Sequence, residues 1–456
     1  MTVNSDAVTN AIAQANASRF VTARNQIPLE PWRDSDRLMA EIASVVQERE
    51  TKPLSIYVAV PFCSYKCHFC DWVASVPSSV LRSGAASRAR YVDALVRQIR
   101  HYGPELTDMG YQPHYMYWGG GTPTRLDPDD FRKIHAALAE SFDLSGLKQW
   151  SVETTPNDLT VEKLDTLLDI GVGRMSVGVQ SLNPEQLRKS GRGHSAEQAV
   201  AAIEFLTRSA MPSFNVDVMT GFPEEDPIWI DRTLTRLVEL GAPHFSVYPF
   251  RTSPKTVVEQ QVRRGRVTPN TFERQLAAYS RATNLLQNAG YAQGQHHSSW
   301  RRDERHEDKD GNYKYGLMGD KIGFGCGAES VVGHWVLWNP SESLEQFVAD
   351  PLQFASARKF SVDTPDMFIN CIGGAQMDLT DGLVFKRFEA LTGVSFAELR
   401  KLPWTRNMFD YLELCGARFI ETADAIRLDP ACIDRVLIAH QAHVTDNMRP
   451  PAILPS

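Results

Sequence analysis

Six short runs rich in apolar residues, at 55–61, 114–118, 149–153, 173–179, 214–219 and 244–248, alternate with stretches of helical apolar spacing. Those stretches fall near 91–102, 128–141, 161–169, 196–208, 228–239 and 271–288. No other feature narrows the fold so far. Strand, helix and strand in repeated succession imply parallel pairing through helical crossovers. Six such units predict an α/β protein built on a partial (β/α)6 TIM-like barrel, too few to close a ring of eight. In such folds the chemistry gathers at the carboxyl ends of the strands, so binding residues are sought there.

The rhythm stops near residue 346. Helical patterns at 385–391 and 407–414 then precede a strand pair at 419–422 and 425–429, the order of a small helical, winged-helix-like domain. Residues 1–52 are polar, apart from a helical pattern over 35–47, and read as an N-terminal extension. The expected organisation is therefore 1–52 extension, 53–345 barrel and 346–456 C-terminal domain. The Ser/Ala/Arg-rich stretch Ser78–Arg88 predicts a mobile loop, and residues 449–456 a loose tail.

A chain of 456 residues suits one large domain with appendages. Its net charge of −7 offers no basic field for nucleic acid, and the C-terminal domain has no clustered basic helix. No apolar run reaches the roughly 18 residues of a membrane span, so no membrane is expected as a partner. The start, Met1-Thr-Val-Asn-Ser-Asp, lacks the basic and apolar segments of a secretory signal, which predicts a reducing, cytoplasmic location.

The first apolar run leads straight into Cys63-Ser-Tyr-Lys-Cys67-His-Phe-Cys70, a C-x3-C-x2-C pattern. Thiolates at this spacing can converge on one inorganic cluster. Three ligands leave a four-iron cluster with one iron open to an outside chelator, as a catalytic metal keeps a free position. The alternatives are plain burial or a zinc site, for which His68 would have to fold back as the fourth ligand. The other cysteines, Cys326, Cys371, Cys415 and Cys432, stand singly and read as core thiols.

Further motifs follow at the later strand ends. Trp118-Gly-Gly-Gly-Thr-Pro-Thr allows close backbone approach to a ligand, its open amides receiving a carboxylate, and equally suits a tight turn. Glu153 can accept from ribose hydroxyls. Gln180, Arg192 and Asp217 together suggest the polar rim of a site, though each alone is as compatible with capping or a salt bridge. The glycine cluster Gly323–Ser330 reads as close approach to a ligand over the barrel mouth or as a plain loop. His296 and His297 could exchange protons with a substrate or simply be solvated. The charged run Arg301–Asp310 reads as a solvated loop.

Taken in order, Pro-Phe-Cys…Cys…Cys, Gly-Gly-Gly-Thr-Pro, Ser-Val-Glu, Gly-Val-Gln-Ser, Gly-Arg-x-His, Asp-x-Met-x-Gly-Phe-Pro and Gly-x-Gly-x-Gly-Ala resemble one family over about residues 54–440. It is the radical S-adenosylmethionine (SAM) superfamily, in the branch named for oxygen-independent coproporphyrinogen III oxidase. The resemblance implies a [4Fe–4S] cluster on Cys63, Cys67 and Cys70, with SAM chelating the open iron and cleaved to a 5′-deoxyadenosyl radical. Tyr57, Gly120 and Glu153 match contacts to the cleaved SAM. Phe69, Asp71, Gly121, Thr122, Gln180, Arg192, Asp217 and Arg251 fall where members of this branch contact a second SAM.

One departure matters. The porphyrinogen enzymes carry another cysteine two residues after the third, whereas this chain has Cys70-Asp71-Trp72. That form resembles haem-chaperone relatives and class C radical SAM methyltransferases. The expected function is thus class C-type transfer of a one-carbon unit, as C-methylation or cyclopropanation, to an sp2 carbon of a specialised metabolite. The alternatives are a porphyrin or haem enzyme and a haem chaperone. The implied partners are a small-molecule substrate, a reductant such as flavodoxin or ferredoxin, and a partner methyltransferase.

Overall fold

The computed structural model describes residues 35–70, 85–251, 256–296, 298–315, 318–341, 343–362, 368, 372, 379–414 and 416–434. The six expected strands are β1 (Pro53–Val60), β2 (Gln112–Gly120), β3 (Gln149–Thr154), β4 (Arg174–Gln180), β5 (Ser213–Thr220) and β6 (His244–Pro249). Each pairs with the next in parallel. Helices such as Pro128–Ser141, Val161–Asp169, Ala196–Arg208 and Ile228–Glu239 form the crossovers. Their starts carry cap signals: Thr160 accepts from the Lys163 amide, and Ser195 and Gln198 cap reciprocally.

The sheet runs further than the six units. After β6 come β7 (Ala292–Gln293) and β8 (Ser299–Arg301), then β9 (Lys321–Phe324), β10 (Glu329–Val332), β11 (Trp335–Trp338) and β12 (Ser356–Lys359). Strand β9 pairs in parallel with β1 on the side away from β2. The order is β12-β11-β10-β9-β1-β2-β3-β4-β5-β6-β8-β7, an open sheet that makes an incomplete barrel. The cluster Gly323–Ser330 ends β9, turns at Gly325–Ala328 on the carboxyl side of that strand and begins β10, so it is a hairpin turn. A side chain on Gly323 would strike the Glu329 carbonyl at 2.6 Å, so the close approach is to the protein's own backbone.

Strand parity decides what each face buries. Ile56, Val58, Met116, Trp118, Val152, Val177, Val216 and Val247 are fully buried in the main hydrophobic core. The N-terminal helix Ser35–Val46 joins them through Leu38, Met39, Ile42 and Val46. A separate core holds Phe368, Phe388, Phe396, Leu399 and Leu428, and it also takes Met318, Val336 and Phe360. Around it lie the helices Phe385–Thr392, Phe396–Leu399 and Pro403–Leu414 and a small antiparallel sheet of β13 (Leu383–Val384), β15 (Ala425–Leu428) and β14 (Phe419–Glu421). No helix among the described residues is long and apolar enough to cross a membrane.

Two expectations need correction or restriction. The run Arg301–Asp310 is solvated only in part: Arg302, Glu304, Arg305 and Lys309 are exposed, while other members are held against the barrel. Arg301 pairs with Glu307, while wholly buried Asp310 accepts from Ser55 Oγ at 2.6 Å and meets Lys314 Nζ at 2.6 Å. Gln149 accepts from the Lys309 amide at 3.0 Å, and the Tyr313 hydroxyl donates to the Pro53 carbonyl. The segment thus lies against the amino ends of β1 and β3. Paired charges can be buried where an isolated one could not, and pairing across the fold is invisible in a local charge run. Of the stretch 78–88, residues 78–84 lie outside the described residues, while 85–88 begin the helix Ala85–Asp108, where Arg88 pairs with Asp127. The tail 449–456 also lies outside.

Candidate cluster and cofactor site

The cysteine loop leaves the carboxyl end of β1 and is tied down from several directions. Ser64 Oγ donates to both carboxylate oxygens of Asp158, at 2.9 and 3.0 Å, and Arg125 and Thr155 hold that carboxylate in turn. The His68 amide donates to the Ser190 carbonyl at 2.8 Å, and its carbonyl accepts from the Val258 amide at 3.0 Å. The His68 imidazole donates through Nδ1 to the Lys189 carbonyl at 2.7 Å, and its Nε2 edge lies against Gly191, where a Cβ would fall 2.8 Å from that nitrogen. Phe69 packs edge-on against Phe222, in a small apolar cluster with Phe250 and Val258.

Cys63, Cys67 and Cys70 are all half-buried. Burial pushes the Cys63 thiol up to about 12; the Thr122 hydroxyl, 3.6 Å away, works against this, and the other two cysteines add to it. A thiol held that high becomes a ligand when a metal cation takes the proton's place. Cys67 Sγ accepts a hydrogen bond from Arg192 at 3.2 Å. Among the described residues no three His, Cys, Asp or Glu side chains are drawn together as one metal ion would need. Three soft sulfur donors on one braced loop, flanked by a hydroxyl and a guanidinium, fit a [4Fe–4S] cluster.

The glycine motif reaches the same region. Gly121 must be glycine: a Cβ there would meet the Val60 and Phe62 carbonyls at 2.6 and 2.7 Å. Its amide donates to Val60, that of Thr122 to Phe62, and that of Gly120 to the Glu153 carboxylate. These amides are committed to protein acceptors, which favours the tight-turn reading over open amides for a carboxylate. Gly120, at φ +101°, lies beside the Tyr57 hydroxyl, and the Tyr57 ring stacks 6.2 Å from that of Tyr117.

Glu153 and Asp217 sit near the carboxyl ends of β3 and β5. Glu153 accepts from the Tyr117 hydroxyl at 2.7 Å, yet burial, with Asp217 adding, pushes its carboxyl up to about 7. Burial likewise pushes Asp217 up to about 6, although Asn215 and Ser176 donate to it at 2.7 and 3.1 Å. Two carboxyls poised near neutrality can exchange their protons for the charge of a bound cation.

The remaining expected residues divide. Gln180, at φ +70°, sits on an irregularity where β4 meets β5, and Arg192 bridges the Gly178 carbonyl and Cys67. Arg251 is exposed just past β6. Asp71 and His297 lie outside the described residues, and His296 contacts Ser298 Oγ at 2.9 Å. Sequence reading passed over Tyr117, Asn215 and His244. His244 contacts Asn215 at 2.7 Å and Ser299 at 2.6 Å and continues the polar network from Asp217. Their common signal is parity: all lie on the face opposite the buried valines.

The radical SAM superfamily model matches residues 57–282. Heme chaperone HemW of Lactococcus lactis is 29% identical over 240 residues, 53% of this chain and 60% of that protein. Oxygen-independent coproporphyrinogen III oxidase of Salmonella typhimurium is 28% identical over 312 residues, 66% of each. The matched stretch thus spans just under two thirds of these relatives' length. The solved coproporphyrinogen III oxidase (HemN) from Escherichia coli, a radical SAM enzyme, shares the fold at TM-score 0.65 and 22% identity, covering 89% of this chain and 92% of that one. Over residues 57–282, just under half of its length, the chain is similar to the radical SAM superfamily, whose cofactors are a [4Fe–4S] cluster and SAM, and the likeness runs to the branch that holds the coproporphyrinogen oxidases and HemW.

Proposed function

We propose that this chain is a radical SAM enzyme with room for two SAM molecules, acting on a tetrapyrrole, the class its curated relatives are named for. One observation carries the two-SAM reading: Thr122, Arg192, Glu153 and Asp217, each expected to touch SAM, lie at the carboxyl ends of β2 to β5 or join them to the cysteines. The cluster, when bound, supplies the electron that cleaves SAM to a 5′-deoxyadenosyl radical. The chain's own residues do the rest. Cys63, Cys67 and Cys70 hold the metal, Glu153 and Asp217 offset cationic charge, and Tyr117 keeps Glu153 in place. The carbon-rich wall of Phe69, Phe222 and Phe250 excludes water beside Cys70.

A second reading, transfer of a one-carbon unit to an sp2 carbon, rests on Cys70-Asp71-Trp72 in place of the porphyrinogen enzymes' extra cysteine. The names of the matched relatives weigh toward the tetrapyrrole. One anoxic experiment separates the readings: reconstituted protein, reductant and methyl-labelled SAM, with and without coproporphyrinogen III. 5′-Deoxyadenosine formed together with CO2 supports porphyrinogen turnover. S-Adenosylhomocysteine released one for one with 5′-deoxyadenosine, in the presence of an acceptor, supports one-carbon transfer. Tight haem binding with neither product points to a chaperone. Absence of all three overturns the proposal.

A further inference from the structure

Around the middle cysteine, residues Arg192-Gly-His194 and Tyr65 close a ring of contacts. Arg192 donates through one terminal nitrogen to Cys67 Sγ at 3.2 Å and through the other to the Gly178 carbonyl. Its guanidinium lies 5.3 Å from the centroid of the Tyr65 ring. The Tyr65 hydroxyl is 3.4 Å from His194 Nδ1, and His194 Nε2 is 3.2 Å from the Val179 carbonyl. A carbonyl only accepts, so Nε2 carries the proton, and Nδ1 of the neutral ring accepts from the tyrosine. Gly193 completes the set, since a Cβ there would fall 2.1 Å from the Tyr65 ring.

We infer that Tyr65 and His194 are positioning residues that hold the Arg192 guanidinium on the sulfur of Cys67 and so raise the reduction potential of the cluster bound there. A charged N–H on a thiolate ligand favours the reduced cluster, which carries one more negative charge. Three features of the ring serve this. The Gly178 carbonyl fixes one edge of the guanidinium, the Tyr65 face stabilises the cation, and His194 fixes the tyrosine. Arg192 Nε, buried and without a partner, remains available to an anionic group of a ligand while the terminal nitrogens stay on the protein. The C-x3-C spacing alone asks nothing of the residue between the cysteines; here it is an aromatic that must meet an arginine 127 positions later.

The inference depends on the cluster and not on which substrate is used. The test is the ratio of reduced to oxidised cluster at one fixed ambient potential, read by electron paramagnetic resonance on the anoxically loaded full chain, with iron per chain measured alongside. R192Q should keep its iron and lower that ratio about tenfold, the loss expected for one hydrogen bond to a charged group. Y65L should shift it the same way by less, and the double variant no further than R192Q alone. Y65F, which keeps the ring but loses the hydroxyl that meets His194, should lower the ratio measurably and by less than Y65L. A wild-type ratio in iron-loaded Y65L, or full additivity in the double variant, overturns the inference. Should Y65L fail to take up iron, Y65F and H194Q carry the test, and a wild-type ratio in both overturns it. A wild-type chain that binds no iron would refute the cluster itself, a distinguishable result.

Discussion

The two faces of strands β1 to β6 are built from alternate residues of the same six segments, yet they obey different rules. The face under the helices is aliphatic and aromatic. Trp118 there is fully buried between Phe131 and Trp150, with ring centroids 6.2 and 5.4 Å away. The opposite face carries Tyr57, stacked on Tyr117, together with Glu153, Ser176, Asn215, Asp217 and His244, and apart from that stacking it is held by hydrogen bonds. The first face is stabilised by removing carbon from water. The second is polar where a cofactor must be met, and its groups are tolerated inside because each finds a partner. Stability and chemistry are thereby separated by a single residue of register.

That division can be broken by substitution. The largest effect is expected just beyond the polar face: Cys67→Ala should abolish iron binding and SAM cleavage, read by iron analysis and 5′-deoxyadenosine release. Its cost in chemical denaturation should be no more than about 1 kcal/mol, because the site lies on a loop. On the helix-covered face the pattern inverts, and Trp118→Ala should cost about 3–5 kcal/mol in stability. A Trp118→Ala protein as stable as the parent would dissolve the distinction between faces.

Asp310→Ala tests the amino end of the barrel, where polar and structural roles meet. It removes both the 2.6 Å contact with Lys314 and the acceptor of the Ser55 hydroxyl, and should cost about 3 kcal/mol of stability. Glu153→Gln should spare the fold and weaken SAM binding about tenfold by calorimetry at pH 7.5. The pH dependence sharpens this. With Glu153 held up to about 7 and Asp217 to about 6, both shed protons as pH rises through that range. The affinity of the wild type for cationic SAM should therefore climb between about pH 5.5 and 7.5, and Glu153→Gln should flatten the upper part. The smallest change belongs to Tyr117→Phe, which removes one hydrogen bond to Glu153 and should weaken SAM about threefold.

Much of this was legible in the chain itself, for uneven reasons. Strands and crossover helices were readable because the buried face writes itself as apolar runs, and Glu153 and Asp217 stood out as charges ending such runs. The cysteine loop was readable because its ligands are local. Tyr117, Asn215 and His244 were not, since a polar residue in a strand looks alike whether it meets solvent or a buried network. The Arg301–Asp310 run misled in part, for the same reason in reverse: its partners, Ser55 and Gln149, are more than 150 positions away. Strand β9 was missed because four residues containing a glycine make too faint a pattern.

By itself the sequence determined the alternating α/β architecture and the three-thiol loop at the end of the first strand, because both depend on periodicity and spacing within short segments. Only the tertiary structure decided that a guanidinium rests on Cys67, that the glycine amides are already bonded, and that a charged segment packs against the amino ends of the barrel. Those outcomes depend on which distant groups become neighbours when the sheet curls. Hydrogen bonds and ion pairs are short-ranged and directional, so their partners are set by the fold rather than by position along the chain.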